Sequence, residues 1–524
     1  MSEANSAGEH VDKDRISDVC VIGGGVNGAG IARDAVGRGL SVVLVEKDDL
    51  AQGTSSRSGK LVHGGLRYLE YYEFRLVREA LIEREVLLES APHIIWPMRF
   101  VLPHSKEDRP AWLVRAGLFL YDHLGGRRRL PATRVLDLGT DTEGAALKEH
   151  YTKAFEFSDC WVDDARLVVL NALDASERGA QIHTRTRCDA ARRVDGIWEL
   201  DVHDTRTGAQ RQIKARSIVN AAGPWVNRIL ESTASVQSKR QVRLVKGSHI
   251  VVRKFWEGEQ AYLIQNSDKR VIFINPYENG RALIGTTDIP FDGNADEVTV
   301  DDGEIDYLIA AVNRYFSSPL SRHDVLHAFS GVRPLFDDNA ENPSAVTRDY
   351  LFDVDSVDSH APILSVFGGK ITTFRKLAEH VLDKLQPFFP HMSSPWTSGV
   401  PLPGGDMPNA DFDGFYQRLI ERHAALPDGL LLHYARHYGT RCDQLLKGVT
   451  GISDLGREFS PMCFEIELRH LIENEWALTS EDILQRRTKH ALHMSPAQIA
   501  DVEHWLNKSL NQRSETLPVY GNAS

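Results

Sequence analysis

Three glycines near the start of the chain, Gly23, Gly25 and Gly28, have the spacing G-x-G-x-x-G. In this pattern the first glycine permits a tight turn, the second lets the backbone approach a pyrophosphate, and the third allows a helix to pack closely on a strand. Glu46 stands at the spacing at which an acidic residue meets ribose hydroxyls, which favours FAD or NAD over NADP. These residues therefore predict a dinucleotide site.

The residues around the glycines predict the elements that hold them. Residues 19–22 and 42–45 are short apolar runs typical of buried parallel strands, and residues 29–38 between them have helical composition. The helix would direct its N-terminus at the phosphates. A strand-helix-strand unit that binds nothing is the alternative, but the complete order of strand, glycines, helix, strand and acid favours a nucleotide.

A loop rich in glycine and hydroxyl groups, residues 53–68, follows the second strand. Loops of this length and composition are usually functional. In a flavoprotein this loop would run under the pyrophosphate towards the isoalloxazine, with N–H groups and hydroxyls as donors. The segments 219–225 and 366–373 also end in small residues, and they are expected to return to the dinucleotide.

The chain has 524 residues, a formal net charge of -12, 42% hydrophobic residues and 26% charged residues. It is long enough for two or more domains, and its composition is that of a globular protein. The net charge argues against nucleic acid as a partner. Cysteines at 20, 160, 188, 442 and 463 show no metal-ligand spacing, so no metal site is expected.

Two stretches bear on the cellular setting. Residues 1–16 predict a disordered tail rather than a secretory signal, and no run has the ~18 apolar residues of a membrane-spanning helix, which fits a reducing cytoplasm. Residues 109–130 are basic, aromatic and amphipathic. They could lie on an anionic membrane surface, or they could form a buried helix followed by a solvated basic loop; both readings stay open.

The remaining chain predicts further domains. Residues 242–290 are rich in strands that suit a second, largely antiparallel sheet, and a helix is expected over residues 302–315. Residues 386–411 are rich in proline and glycine, and the pattern beyond them is helical, with a capping box at residues 495–498. We therefore predict a linker over residues 391–411 and a helical C-terminal domain over residues 412–510.

The motifs together resemble the respiratory, quinone-linked family of FAD-dependent glycerol-3-phosphate dehydrogenases. The match is carried by residues 22–39, by His63-Gly64-Gly65-Leu66-Arg67-Tyr68, and by Gly368-Gly369-Lys370 with Arg375. Segments at 246–249, 330–334 and 486–489 also look like family segments, so that the resemblance spans about residues 17–510. Gly59 and Phe374 depart from it, because relatives usually have serine and tyrosine there.

The resemblance implies an α/β fold in which an FAD-binding Rossmann-type domain is joined to an antiparallel-sheet substrate domain of the amino-acid-oxidase type, with a helical C-terminal domain. The oxidoreductase region would cover residues 17–390. Within it, the FAD domain would comprise about residues 17–100, 155–235 and 330–390, and the substrate domain about residues 240–330.

The implied reaction converts sn-glycerol 3-phosphate to dihydroxyacetone phosphate by hydride transfer to FAD, and the electrons then pass to quinone. The residues expected to bind FAD are Gly23, Gly25, Asn27, Gly28, Glu46, Thr54, Ser55, Lys60, His63, Gly65, Gly223, Gly368, Lys370 and Thr372. The resemblance also implies a homodimer that is cytoplasmic and peripherally bound to the inner face of the cell membrane.

A dianionic phosphate needs fixed cations, so Arg67, Arg333 and Lys370, with Tyr68, are the expected substrate-binding residues. His63 and His249 compete for the role of proton acceptor, because histidine has a suitable pKa near neutrality. Arg333 could instead stabilise the developing alkoxide by its charge. Lys370 could serve the flavin, the substrate or both.

Three alternatives share this fold. An amino-acid or sarcosine oxidase would hold a carboxylate and pass electrons to oxygen. An oxygen-using glycerol-phosphate oxidase would act on the same substrate, although such relatives typically carry an insertion that is not recognised here. An RNA-modifying or purely binding flavin-fold protein fits poorly with the acidic net charge of -12.

Overall fold

A computed structural model of the chain describes residues 16–516, apart from residues 106, 108, 127–128, 238–239, 267, 337–348 and 359. The predicted tail over residues 1–16 lies outside the described residues except for Ile16, which begins the first strand. Arg127 and Arg128 of the basic stretch lie outside them as well.

The first sheet contains the predicted nucleotide-binding unit. Its spatial order is Tyr350–Val357, His360–Gly368, Gln210–Asn220, Ile16–Ile22, Val42–Val45 and Gln181–His183, and it is extended by Ile197–Asp204 and Thr186–Val194. All neighbours from His360–Gly368 to Gln181–His183 pair in parallel. The carboxyl ends of these strands therefore lie along one edge, where ligands of such sheets bind.

Side chains of the first strand alternate between two apolar cores. Val21 faces one core and Ile22 faces the other, where Trp198 also packs. The first core is covered by the helices Val26–Gly37, Asp164–Glu177 and Phe374–Leu385. A parallel sheet covered on both faces explains why its strands are continuous apolar runs instead of alternating ones.

The second sheet is mixed but largely antiparallel. Its spatial order is Ile289–Pro290, Val242–Arg253, Arg281–Gly285, Val271–Tyr277, Ala261–Gln265, Ile95–His104, Lys153–Val162 and Leu61–Val62, with Val325–Phe336 beside Val242–Arg253 and Arg134–Asp137 beside Lys153–Val162. The sheet thus extends beyond the predicted range 240–330, because strands from the early part of the chain add to its edge.

Helices cover both faces of the second sheet. Asp302–Tyr315 packs on one face, and its N-cap Asp301 forms the capping box with Glu304, which confirms the predicted helix over residues 302–315. Phe74–Ser90 and Ala111–Leu124 pack on the other face. A short turn of helix, Val226–Arg228, follows the strand Gln210–Asn220 of the first sheet.

The C-terminal region has its own apolar core. It is built from the helices Phe412–Arg422, Asp428–Tyr438, Cys442–Leu445, Glu465–Asn474 and Pro496–Thr516, a π-helical stretch Asp482–Arg487, and the paired strands Glu458–Ser460 and Cys463–Phe464. The proline-rich segment before it is packed: the N–H of Leu402 donates to the carbonyl of Ser90 at 2.9 Å, and Arg33 donates to the carbonyl of Val400 at 3.1 Å.

The helix Ala111–Leu124 presents apolar side chains to solvent. Only Leu118 and Tyr121 on it are buried, whereas Trp112 is 71% exposed and Phe119 is 64% exposed. The helix is therefore not the buried one that was the alternative for this stretch. Among the described residues, no helix is long and apolar enough to cross a membrane.

Candidate active site

A cavity of about 490 Å³ is lined by residues of both sheets, at the carboxyl ends of the parallel strands. Most of the residues predicted to bind cofactor or substrate line it. They are Gly23, Gly25, Asn27, Glu46, Thr54, Ser55, His63, Tyr68, Gly223, His249, Arg333, Gly368, Lys370 and Thr372. Residues as far apart in the sequence as Ile22 and Thr372 thus line the same cavity.

The glycine turn has the geometry that a bound pyrophosphate needs. Gly23 has φ of +115°, and a Cβ there would lie 2.6 Å from the carbonyl oxygen of Ala221. A Cβ on Gly28 would lie 1.9 Å from the carbonyl oxygen of Gly23, so Gly28 serves helix packing and does not line the cavity. Gly25 is the N-cap of the helix Val26–Gly37, whose positive end faces the cavity.

Glu46 follows the second parallel strand and is held by backbone donors. Its carboxylate accepts the N–H of Gly24 at 2.6 Å and the N–H of Asp48 at 2.9 Å. Burial raises the pKa of Glu46 above its ordinary value, and these two hydrogen bonds oppose the rise. A carboxylate fixed at this position can accept hydrogen bonds from ribose hydroxyls.

The hydroxyl-rich loop is tied to three parts of the molecule. Ser55 Oγ accepts the N–H of Val26 at 3.0 Å, and Thr54 Oγ1 donates to the carbonyl of Val332 at 2.6 Å. Thr372 Oγ1 accepts the N–H of His63 at 3.1 Å. The loop is therefore positioned by the first helix, by the second sheet and by the returning segment.

Besides Gly28, three predicted residues lie outside the cavity lining. Lys60 is buried, and its Nζ donates to Asp164 Oδ1 at 2.7 Å. Gly65 has φ of +75° and lies under the ring of Tyr68. Arg67 reaches the hydroxyl of Tyr71 at 3.4 Å. Their place in the loop predicted contact with the ligand, but the side chains of Lys60 and Arg67 contact Asp164 and Tyr71 instead.

The cavity lining includes cations and histidines, namely Arg333, Lys370, His63 and His249. Arg333 donates to Thr286 Oγ1 at 2.8 Å and forms an ion pair with Asp288. The ammonium group of Lys370 lies 4.0 Å from the centre of the Tyr68 ring. Such a mixture of fixed cations suits an anionic substrate, and the Asp288 carboxylate limits the net positive charge at Arg333.

His249 is buried and also lines the cavity. Its ring stacks on Phe329 with centroids 5.1 Å apart, and Nδ1 has no hydrogen-bond partner among the described residues. Burial lowers the pKa of His249 to about 3, and the positive charges of Arg333 and Lys60 add to the effect. His249 is therefore neutral at physiological pH and is a weak base.

Two residues of the cavity lining, Arg57 and Trp225, are not among the predicted site residues, and neither is Asp288, the ion-pair partner of Arg333. Arg57 lies within the loop already singled out, and its NH1 donates to the carbonyl of Ser330 at 3.2 Å. Trp225 is the last residue of the segment 219–225, which was expected to return to the dinucleotide. Asp288 had no local signal, because its pairing with Arg333 depends on how two distant strands meet.

The lining fits FAD. Among the described residues, Asn27 Oδ1 and Trp225 Nε1 are buried without a hydrogen-bond partner, and both residues line the cavity. Buried polar atoms of this kind are normally satisfied, and a polar cofactor would satisfy them. The glycine turn would hold the pyrophosphate and Glu46 the ribose.

Residues 18–373 match the family model "FAD dependent oxidoreductase", and residues 395–509 match "C-terminal domain of alpha-glycerophosphate oxidase". The chain is 62% identical to D-erythritol 1-phosphate dehydrogenase of Brucella abortus over 94% of this chain and 98% of that protein. It is 52% identical to glycerol-3-phosphate dehydrogenase of Pseudomonas aeruginosa over 92% and 93%.

Among solved structures, glycerol-3-phosphate dehydrogenase from Bacillus halodurans complexed with FAD superposes with a TM-score of 0.75 at 26% identity, covering 98% of this chain and 97% of that chain. These matches confirm the predicted fold class, including the helical C-terminal domain. They also confirm the predicted resemblance and FAD as the cofactor.

Proposed function

The chain belongs to the family of FAD-dependent oxidoreductases, and from this premise we propose that it oxidises a secondary alcohol of a phosphorylated polyol to a ketone. The observation that supports the proposal is that Arg333, Lys370, His63 and His249 all line one cavity that fits FAD. Fixed cations bind a phosphate dianion, and a histidine can accept the proton of the reacting hydroxyl.

Bound FAD would supply a two-electron acceptor for the hydrogen of the reacting carbon, which leaves as a hydride. The hydroxyl proton of the same carbon must leave as the carbonyl forms, and we assign its acceptance to His63, because His249 has a pKa of about 3. Arg333 stabilises negative charge on the reacting oxygen or on the phosphate. Thr372 Oγ1 holds the backbone N–H of His63, and the ammonium group of Lys370 lies over the ring of Tyr68 in the same loop.

Glycerol 3-phosphate is the proposed substrate, in keeping with the names of several relatives. D-Erythritol 1-phosphate is a second candidate, because the relative that shares 62% identity is named for that substrate. Both are polyol phosphates with a secondary hydroxyl, so the same cations and the same proton acceptor would serve either one.

Anaerobic bleaching of the flavin tests the proposal. The purified holoprotein should lose its oxidised flavin absorbance with glycerol 3-phosphate or D-erythritol 1-phosphate, and it should keep that absorbance with glycine, proline and sarcosine. Bleaching by amino acids alone would instead favour an amino-acid or sarcosine oxidase. Stoichiometric peroxide without added quinone would favour the oxygen-using oxidase.

We further propose that the electrons pass to quinone at an anionic membrane surface, with the chain as a homodimer. The support is the exposed apolar face of the helix Ala111–Leu124, where Trp112 and Phe119 project beside exposed Arg115. Apolar side chains next to basic ones are typical of helices that lie in the interface of a bilayer.

Vesicle sedimentation tests the membrane contact. A double variant, Trp112→Glu with Phe119→Glu, should bind phosphatidylglycerol vesicles about tenfold more weakly or worse, since two apolar contacts are lost and negative charge is added. Ile452→Glu is a matched control, because Ile452 is 49% exposed in the C-terminal region. Equal binding by the double variant and the control would contradict the proposal.

A further inference from the structure

Four glycines surround the cations and the buried histidine of the cavity: Gly59, Gly247, Gly285 and Gly331. At three of them an added Cβ would come closer than 3.0 Å to a neighbouring atom. A Cβ on Gly247 would lie 2.5 Å from Arg333 NH2, and a Cβ on Gly285 would lie 2.1 Å from His249 Cδ2. A Cβ on Gly331 would lie 2.9 Å from the Cβ of Arg57. A side chain at any of these three positions would therefore displace Arg333, His249 or Arg57.

Gly59 differs from the other three. A Cβ there would lie 3.6 Å from His249 Nε2, which is ordinary van der Waals contact, and its φ does not fall in the left-handed region. The carbonyl of Gly59 accepts a hydrogen bond from Asn275 Nδ2 at 3.2 Å, which fixes the backbone at this point. The fold would therefore accept a side chain at residue 59, and glycine leaves a notch between residue 59 and His249 Nε2.

We propose that this notch sets the length of the polyol phosphate that the site accepts, and that it takes the extra hydroxylated carbon of a four-carbon substrate. The inference rests on the proposed function and deepens it. With the phosphate held by the cations and the reacting carbon at the flavin, a three-carbon substrate ends near the notch, whereas a four-carbon substrate continues into it.

The chemistry of the notch suits a hydroxyl group. One side is backbone, and the other is the imidazole edge of His249, which can donate to or accept from a hydroxyl. The Nε2 atom faces the cavity, whereas Nδ1 is buried. A hydroxymethyl group of the substrate could lie against both the Gly59 backbone and Nε2, whereas a Cβ at residue 59 would stand in its way.

Two substitutions fill the notch in different ways. Gly59→Ala adds only a methyl group, and Gly59→Ser adds a hydroxyl that can bond to His249. The measured quantity is the ratio of kcat/KM for D-erythritol 1-phosphate to kcat/KM for glycerol 3-phosphate. Because one carbon in a fitted pocket changes kcat/KM by about 10- to 200-fold, both variants should lower this ratio by about tenfold or more.

Gly429→Ser is the matched control. Gly429 is exposed on the helix Asp428–Tyr438, and a Cβ there meets nothing within 4 Å, so the ratio should not change. The FAD content and the flavin spectrum of each variant are measured alongside. A Gly59 variant that loses activity equally with both substrates, or that releases FAD, would place residue 59 against the cofactor and would overturn the inference.

Assays of the wild-type protein with both substrates distinguish a failure of this inference from a failure of the proposed function. Oxidation of glycerol 3-phosphate without oxidation of D-erythritol 1-phosphate would overturn the inference and leave the proposed function in place. Oxidation of neither compound would overturn both. Oxidation of both, with an unchanged ratio in Gly59→Ala and Gly59→Ser, would overturn the inference alone.

Discussion

Replacing Arg333 by alanine is expected to lower kcat/KM for glycerol 3-phosphate by about 10³-fold. Loss of a fixed charge that faces the reacting centre usually lowers the rate by about 10²- to 10³-fold, or about 3–4 kcal/mol. We expect a loss at the upper end of this range of rates, because Arg333 is also the ion-pair partner of Asp288, whose side chain is 10% exposed. In Arg333→Ala that carboxylate keeps its charge and repels the phosphate.

The contribution of Asp288 can be separated by a second substitution. The double variant Arg333→Ala with Asp288→Asn should recover about tenfold in kcat/KM, since it removes the repelling charge, which corresponds to about 1.4 kcal/mol. Asp288→Asn alone should lower KM slightly, because Arg333 is then fully available to the substrate. Such a pattern is a coupling between two residues in contact.

Stopped-flow reduction of the flavin under anaerobic conditions measures both substrate binding and hydride transfer. The dependence of the rate on substrate concentration gives the dissociation constant, and the limiting rate reports hydride transfer. FAD content and thermal unfolding establish that each variant is folded. Unchanged kinetics in Arg333→Ala would remove Arg333 from the site, and a double variant no faster than the single variant would refute the role of Asp288.

Three further predictions address other residues. His63→Gln should lower the limiting rate of flavin reduction by about 10²-fold or more and abolish the pH dependence of that rate. His249→Gln should keep the pH dependence, since His249 has a pKa of about 3. If His249→Gln alone lost the pH dependence, the proton acceptor would be His249 and not His63. Burial also lowers the pKa of His93 to about 3, below its unfolded value near 6.5, so this group costs stability as the pH falls from about 6.5 to 3. It should remove about 2 kcal/mol of the free energy of unfolding at pH 5, and urea titrations at pH 7.5 and pH 5 should show a smaller acid loss in His93→Leu. Equal acid losses in the two proteins would contradict this cause. Arg487→Leu should destabilise the fold by about 3 kcal/mol, because Asp49 loses a buried partner, and it should release FAD at a lower temperature; an unchanged release temperature would show that this ion pair does not support the site.

The dinucleotide end of the site is predictable from sequence because its parts are local. Gly23, Gly25 and Gly28 act through backbone geometry. Their spacing alone specifies a tight turn, a close approach of the backbone to the pyrophosphate, and close packing of the helix on the strand. Glu46 follows its strand directly, so its position is set once the strand is recognised. The amphipathic helix over residues 302–315 was predictable for the same reason, since its cap and its apolar face lie within one segment.

The substrate end is less predictable because it depends on directions of side chains and on strand register. Lys60 and Arg67 belong to the correct loop, yet Lys60 turns to Asp164 and Arg67 to Tyr71. Arg333 meets its partner Asp288 only because two chain segments about 45 residues apart flank the same strand. No spacing rule within a single segment contains that information.

The proline-rich segment shows a different limit. Proline and glycine content predicts the absence of regular structure, but it does not predict whether a segment is packed. Around Gly404 the backbone is held closely, since a Cβ there would lie 2.2 Å from the carbonyl oxygen of Tyr438. Composition therefore identified an irregular connection, and only the structure identified its contacts.

The C-terminal region supports the dinucleotide site through buried charges. Arg487 donates to both carboxylate oxygens of Asp49, at 2.7 and 2.8 Å, and Arg486 donates to the same carboxylate at 2.8 Å. Asp49 lies three residues after Glu46, and the N–H of Ala51 in the same loop donates to the carbonyl of Gly24 at 3.0 Å. The loop between the ribose carboxylate and the glycine turn is thus clamped from outside the nucleotide domain.

Such a clamp links two regions that could otherwise dock in several ways. Buried ion pairs add little net stability compared with apolar packing, but removal of one partner is costly, so they select one relative arrangement. Arg487 and Asp49 are both fully buried. Because the selected arrangement holds the residues beside Glu46, we expect that cofactor retention and docking of the C-terminal region are lost together when this contact is broken.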